Sequence, residues 1–267
     1  MINVVTTNNK SIIGPKEIGK IFQKKIPDIK IPLPEKLINE LIEEGWLFVF
    51  RYNFGQPRFD LKNSESIYAD LYEIHVPSME LETASKRSDL LTFAIDIENQ
   101  ETICECIKTG WVMISSGMDQ IPELNYLEQT EFMLGIFKKL KVKGDIFQNL
   151  DFENLDNFYQ AKNKIEKFID YDHQRAVNDL AQMKINQYRH SLIEFIYDSM
   201  VIYLSTGEIY MRDKHSWTKS KNKSDTFVVV GEHLCPNLLG YADCEPFFSN
   251  QDVDFSLSIG LKDICKY

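Results

Sequence analysis

The chain lacks any uncharged apolar run long enough for a membrane-spanning helix; even VIYL at Val201–Leu204 is short. Its first residues show no basic segment followed by a long apolar stretch and a small-residue cleavage site, so no signal peptide is expected. A G-x-S-x-G elbow, a Walker glycine loop, a dinucleotide fingerprint and an H-E-x-x-H pair are all missing. Several common enzyme classes lose weight, although catalytic residues scattered along the chain escape this test. No internal repeat or low-complexity tract occurs. Cysteine is scarce: five residues, an odd number, suit a reducing compartment better than a disulfide scaffold. Together these absences lead us to expect a soluble, cytoplasmic protein.

Positive charge is also in short supply. Thirty Lys and Arg face 40 Asp and Glu, for a formal charge of −10. That balance opposes nonspecific phosphate binding, argues against nucleic acid as a partner and favours a basic protein instead. With 267 residues, 43% of them hydrophobic and 26% charged, the chain has the composition of a globular protein.

Periodicity supplies the elements. Ile2–Thr6 reads as a short strand, and Gly14 with Pro15 opens a helix through Lys24. Leu37, Ile38, Leu41 and Ile42 recur at helical spacing between Pro34 and Gly45, and WLFVFRY at Trp46–Tyr52 reads as a buried strand. Tyr72, Ile74 and Val76 alternate with polar residues as a third strand, and Trp111–Ser115 forms another apolar run. A helix is expected from Pro122 to about Leu140, closed by lysines that suit a helix C-terminus and by Gly144.

Two helices are then expected at 154–170 and 172–204. The second is unusually long, with Val177, Leu180, Ala181, Ile185, Tyr188, Leu192, Phe195, Ile196 and Tyr203 on one stripe. Arg175, Asp179, Gln182, Arg189, Glu194 and Asp198 keep off that stripe. Such a helix packs across a sheet or, alternatively, against its copy in a homodimer. Strands are expected at Ile209–Met211, Phe227–Val230 and Phe255–Ile259. The fold class is α+β, a mixed or antiparallel sheet with packed helices and one long amphipathic helix in the second half. The best division is an α+β domain over 1–144, then a helical hairpin and small β-rich region over 145–267, unless the whole is one continuous domain.

The stretch Asp89–Lys108, DLLTFAIDIENQETICECIK, joins apolar strand residues to carboxylates. Read as a hairpin turning at Asn99 and Gln100, it places Asp96, Glu98 and Glu105 on one face. Asn99 can instead cap a helix from Gln100 to Thr109. In its hairpin form the stretch, with the helical run from about Gln120, resembles the core of the PD-(D/E)xK nuclease superfamily. The resemblance implies two carboxylates holding a divalent cation, and a lysine two positions after the second that orients the attacking water. Asp89 and Lys108 carry over. The position two before Lys108 is Cys106, however, and Glu105 falls on the opposite face, a departure from that metal geometry.

Between the late strands lies a basic island with Arg212, Lys214, Lys219, Lys221 and Lys223 beside His215 and Trp217. Its composition is that of a long hairpin loop; cations around an exposed aromatic would make it an anion or acidic-partner contact. His233, Cys235 and Cys244 lack the paired, regular spacing of structural zinc sites, so no metal site is expected there.

Two functional expectations follow. The first is a noncatalytic cytoplasmic protein that binds a macromolecular partner, of an inhibitor or immunity type, through an acidic surface including Glu35, Glu40, Glu43 and Glu44. It needs no cofactor. The alternative is a nuclease or phosphodiesterase using Mg²⁺, with Asp89, Asp96, Glu98, Glu105 and Lys108 as its catalytic group.

Overall fold

A computed structural model describes residues 10–53, 92–94, 107–115, 124–208, 210–211, 214–221, 227–232, 238–244, 246–247 and 253–264. The expected strands at 2–6 and 72–76, and nearly all of the hairpin at 89–108, lie outside these residues.

The first elements among the described residues are β1 (Ile12–Ile13) and α1 (Pro15–Ile21). Proline is tolerated in a first helical turn because its missing N–H has no partner there, and Glu17 turns back to accept the Gly14 N–H at 3.1 Å. In α2 (Glu35–Glu43), Leu41 is buried and Leu37, Ile38 and Ile42 pack against the core. Gly45, at φ 88°, turns the chain into β2 (Trp46–Arg51). Next come β3 (Thr92–Ala94) and β4 (Gly110–Ser115), then α3 (Tyr126–Lys143). The start of α3 is set by a capping box: Asn125 accepts the Glu128 N–H at 2.9 Å while Glu128 accepts the Asn125 N–H at 2.8 Å. Lys141 and Lys143 close its last turn, as the sequence suggests.

A 3₁₀ turn at Asp145–Asn149 leads to α4 (Leu155–Phe168) and α5 (His173–Ala181). A second 3₁₀ turn at Lys184–Tyr188 precedes α6 (Leu192–Thr206). The last described elements are β5 (His215–Lys221), β6 (Phe227–Glu232), β7 (Leu238–Cys244), β8 (Val253–Phe255), β9 (Ser258–Gly260) and α7 (Leu261–Ile264).

The strands form two sheets among the described residues. The first runs β1-β2-β4-β9, parallel at β1/β2 and antiparallel elsewhere; the second runs β3-β7-β6-β5-β8, parallel at both ends and antiparallel between. The fold class is therefore α+β with mixed sheets. β8 belongs to one sheet and β9 to the other, so the short link at Ser256 and Leu257 crosses between them. That link is bonded from three sides. Leu257 pairs with Ser115 at the end of β4, bridges Arg189, and Ser256 accepts the His190 N–H. No helix among the described residues is long and apolar enough to cross a membrane.

The single long helix expected over 172–204 is not formed. It is cut into α5, the 3₁₀ turn and α6. Asn186 donates its side-chain amide to the Leu180 carbonyl at 2.7 Å, filling an acceptor at the end of α5. A second capping box then restarts the helix, with Ser191 accepting the Glu194 N–H at 3.3 Å and Glu194 accepting the Ser191 N–H at 2.8 Å. Between the pieces Arg189 is extended, and the Lys219 N–H of β5 bonds the His190 carbonyl at 2.9 Å. The apolar stripe is real, but it serves three elements turned onto the same core. The continuous surface that motivated a homodimer contact is absent from this segment.

Two further expectations change. The basic island is not a loop over His215–Lys221 but the β5 strand, second from one edge of its sheet. Its small polar residues are buried with partners: Ser216 Oγ meets Ser256 Oγ at 2.9 Å, Thr218 donates to the Val228 carbonyl, and Ser220 accepts the Leu192 N–H. Of the strand expected at Ile209–Met211, the described Tyr210 and Met211 form a turn.

Replacing the cap hydroxyl in Ser191→Ala removes one arm of the second box. It is expected to cost about 1–2 kcal/mol in urea unfolding, as a lower midpoint at unchanged slope.

Candidate functional site

The most concentrated chemistry among the described residues lies where the two sheets meet α6. Arg51 ends β2, a strand otherwise apolar, and its side chain is only 3% exposed. From α6, Glu194 and Asp198 present carboxylates one helical turn apart. The guanidinium is held by Asp198 through two bonds, Nε to Oδ1 at 3.0 Å and Nη2 to Oδ2 at 2.5 Å. It also donates from Nη1 to Glu194 at 2.8 Å and from Nη2 to Ser258 Oγ of β9 at 2.9 Å. Bidentate pairing of this kind is among the stronger protein contacts.

The network extends on both sides. His190 Nε2 lies 2.9 Å from Asp198 Oδ2, and the tautomer that satisfies this carboxylate donates from Nε2. Lys219 of β5 donates to Glu194 Oε2 at 3.0 Å. Tyr197 accepts the Tyr52 N–H at 3.1 Å. Arg51 and Lys219 thus face Asp198 and Glu194, two cations against two anions.

Burial by itself would raise the Asp198 carboxyl, but Arg51 and the His190 hydrogen bond hold it below the usual range. Burial likewise opposes ionisation of Glu194, and Arg51 and Lys219 overcome it, leaving Glu194 strongly depressed. Burial would also lower Arg51, yet its two carboxylates hold it above its ordinary value. Burial pushes Tyr197 upward.

A cavity of about 410 Å³ opens beside this network. Arg51, Lys108, Asp151, Glu194, Lys219 and Ser258 are among the residues that line it. A neighbouring cavity of about 360 Å³ is lined by Tyr126, Asn186 and Phe227, and shares Asp151, Gln187 and Lys219 with the first. Asp151 itself pairs with Lys184 at 3.0 Å.

The residues singled out from the sequence fare unequally. Asp89, Asp96, Glu98 and Glu105 lie outside the described residues, as do Arg212, Lys223, His233 and Cys235. Lys108 is exposed and lines the larger cavity. Lys219 reaches the same cavity, so two lysines from unrelated stretches of sequence converge there. Lys221 turns elsewhere, to the Asn178 side chain at 3.0 Å, and Lys214 and His215 are half-buried. Trp217 corrects the picture of an exposed aromatic among cations. It is 1% exposed and packs edge-on against Tyr126 at 5.5 Å.

Arg51, His190, Glu194 and Asp198 are not among the residues that the sequence marks as a site. Helical spacing places Glu194, Asp198 and Arg189 off the apolar stripe, whereas Asp198 and Arg189 are fully buried. Two signals were legible: the S-x-x-E string at Ser191–Glu194, and an arginine closing an otherwise apolar strand. Their convergence across 147 positions was not. Among the described residues no three His, Cys, Asp or Glu gather as a metal-binding group. Comparison with protein-family models, curated proteins and solved structures finds no match to the chain.

Asp198→Ala leaves Arg51 and His190 facing an empty acceptor position, and is expected to cost about 3–5 kcal/mol in urea unfolding at pH 7. The carboxylates are depressed in the folded state. Their contribution is complete above the unfolded values of about 3.9–4.3 and drains as pH falls toward the folded ones. Wild-type stability should therefore drop below about pH 4 more steeply than that of Asp198→Asn. Parallel slopes would contradict the assignment.

Proposed function

We propose that this chain is a noncatalytic cytoplasmic protein that binds a basic macromolecular partner, in the manner of an inhibitor or immunity protein, through an acidic surface centred on α2. The observation carrying this reading is the outer face of that helix. Its apolar residues are spent on the core, Glu35 and Glu43 are exposed, and no ion pair among the described residues takes up either carboxylate. Glu40 and Glu44 are partly neutralised by Lys36 and Lys143. Exposed Asp28 lies shortly before the helix, and the whole chain carries a charge of −10. A surface of that sign favours encounter with a positive patch and repels phosphate.

The buried cluster supports the same reading in a different way. Its carboxylates are occupied by internal donors, so its role is to hold the scaffold that presents α2. The Mg²⁺-dependent nuclease alternative rests on Asp89, Asp96, Glu98 and Glu105 acting with Lys108.

The expected outcome is that immobilised protein retains a discrete basic partner at low salt and releases it as ionic strength rises to about 0.3 M, where surface charge is screened. The double variant Glu35→Lys/Glu43→Lys should lose that partner while keeping the wild-type unfolding midpoint. Retention by the variant, or no partner at low salt, contradicts the proposal. Cleavage of nucleic acid with Mg²⁺ or Mn²⁺, abolished by Asp96→Ala, would replace it with the alternative.

A further inference from the structure

We infer that α1 and the segment that folds back along it, residues 24–30, form a docking surface for a short acidic, carboxylate-rich segment of a partner protein. This inference is independent of the partner-binding role proposed for α2.

Three observations converge on it. The first is a set of unneutralised cations. Lys16, Lys20, Lys24, Lys25 and Lys30 are all exposed, and none makes an ion pair or a side-chain hydrogen bond among the described residues. Acids outnumber bases in this chain, so a lysine has carboxylates to meet, as Lys143, Lys162, Lys164, Lys184 and Lys219 do. Between Pro15 and Lys30 the five lysines stand against Glu17 and Asp28 only, a net charge of +3, and Glu17 is engaged by the Gly14 N–H. The chain's −10 therefore leaves −13 on the remainder.

The second is that these cations belong to one folded unit. At the end of α1 the Gln23 N–H reaches the Lys20 carbonyl at 3.4 Å and the Lys24 N–H reaches the Gly19 carbonyl at 2.9 Å. This is the Schellman arrangement, with Gln23 at φ 49° where glycine is the usual residue. The turn sends the chain back along the helix. The Lys24 carbonyl approaches Gly19 so closely that a Cβ there would stand 2.7 Å from it, and Ile26 packs at the same point. Trp111 ties down the other end: its indole N–H donates to the Ile29 carbonyl at 2.7 Å, and its ring lies 3.4 Å from where a Cβ on Gly14 would stand. Residues 24–26 thus lie against the end of α1, while Ile29 lies within one indole of its start. Lys16 and Lys20, one turn apart on the helix, share a small body with the three lysines of the returning segment.

The third is the ligand that this charge distribution selects. Surface charges act over a screening length of about 8 Å at physiological salt, so a ligand is chosen by what it sets on the lysines and on their surroundings. A bilayer or a nucleic acid carries its negative charge past the edges of the patch, onto a remainder that is itself negative. A short acidic polypeptide ends where the lysines end. Ile29, 40% exposed beside Lys30, adds an apolar contact that a side chain of such a segment can use.

Fluorescence anisotropy of the full chain with labelled hexaglutamate at low salt tests the inference. A labelled duplex DNA, and sedimentation with vesicles of phosphatidylcholine and phosphatidylserine, supply the competing polyanions. Hexaglutamate should bind saturably and more tightly than either. The triple variant Lys20→Gln/Lys24→Gln/Lys25→Gln should weaken hexaglutamate by about tenfold. The triple variant Lys138→Gln/Lys139→Gln/Lys167→Gln removes the same charge from exposed lysines elsewhere, and should leave the affinity within about twofold of wild type. All six side chains are exposed, so both variants should keep the wild-type unfolding midpoint, separating loss of binding from loss of fold. No saturable binding of hexaglutamate, equal losses in the two variants, or tighter binding of the duplex or the vesicles would overturn the inference.

Discussion

A guanidinium taken out of water is tolerable only if carboxylates meet it, and the meeting of Arg51 with Asp198 and Glu194 is the contact on which this architecture turns. Arg51 closes β2 of one sheet, the carboxylates stand on α6, Ser258 belongs to β9, and Lys219 comes from β5 of the other sheet. One charged knot therefore spans four elements. Replacing one partner with an apolar residue strands the others, so the cluster favours a single relative placement of these elements even where its net contribution to stability is modest.

The same junction is reinforced by backbone and hydroxyl contacts. The chain crosses between sheets at Ser256 and Leu257, where Ser115, Ser216, Arg189 and His190 all converge. Arg189 is fully buried, lies over the Tyr126 ring at 3.9 Å, and donates to the Tyr126 carbonyl and to Thr130 at 3.1 Å each. Polar groups thus do at this junction what apolar side chains do elsewhere in the core. They also leave room: the two adjoining cavities lie along it, lined by amides and charges.

Local signals in the sequence translated well into structure. Pro15, Pro34 and Gly45 bound α1 and α2 where their backbone preferences place them, WLFVFR is β2, and the lysines near Lys143 close α3. The failures share a physical cause. The apolar stripe between Val177 and Tyr203 has helical spacing throughout, but periodicity says nothing about caps, and Asn186 and Ser191 break the helix by bonding backbone groups that an unbroken helix would have used itself. HSWTKSK has loop composition, and only its long-range hydroxyl partners make it a buried strand. Asp198 has the spacing of a solvent-facing helix residue because its partner stands 147 positions away. That Lys108 and Lys219 line the same cavity is likewise beyond any local pattern.

A double-mutant cycle on Arg51→Met and Asp198→Leu measures the central contact most directly, since the paired replacement removes both charges while keeping apolar volume. The account predicts that each single change destabilises the fold far more than the pair together accounts for by addition, with a coupling energy of about 2–4 kcal/mol in urea unfolding at neutral pH. Additive losses, with coupling under about 0.5 kcal/mol, would contradict it.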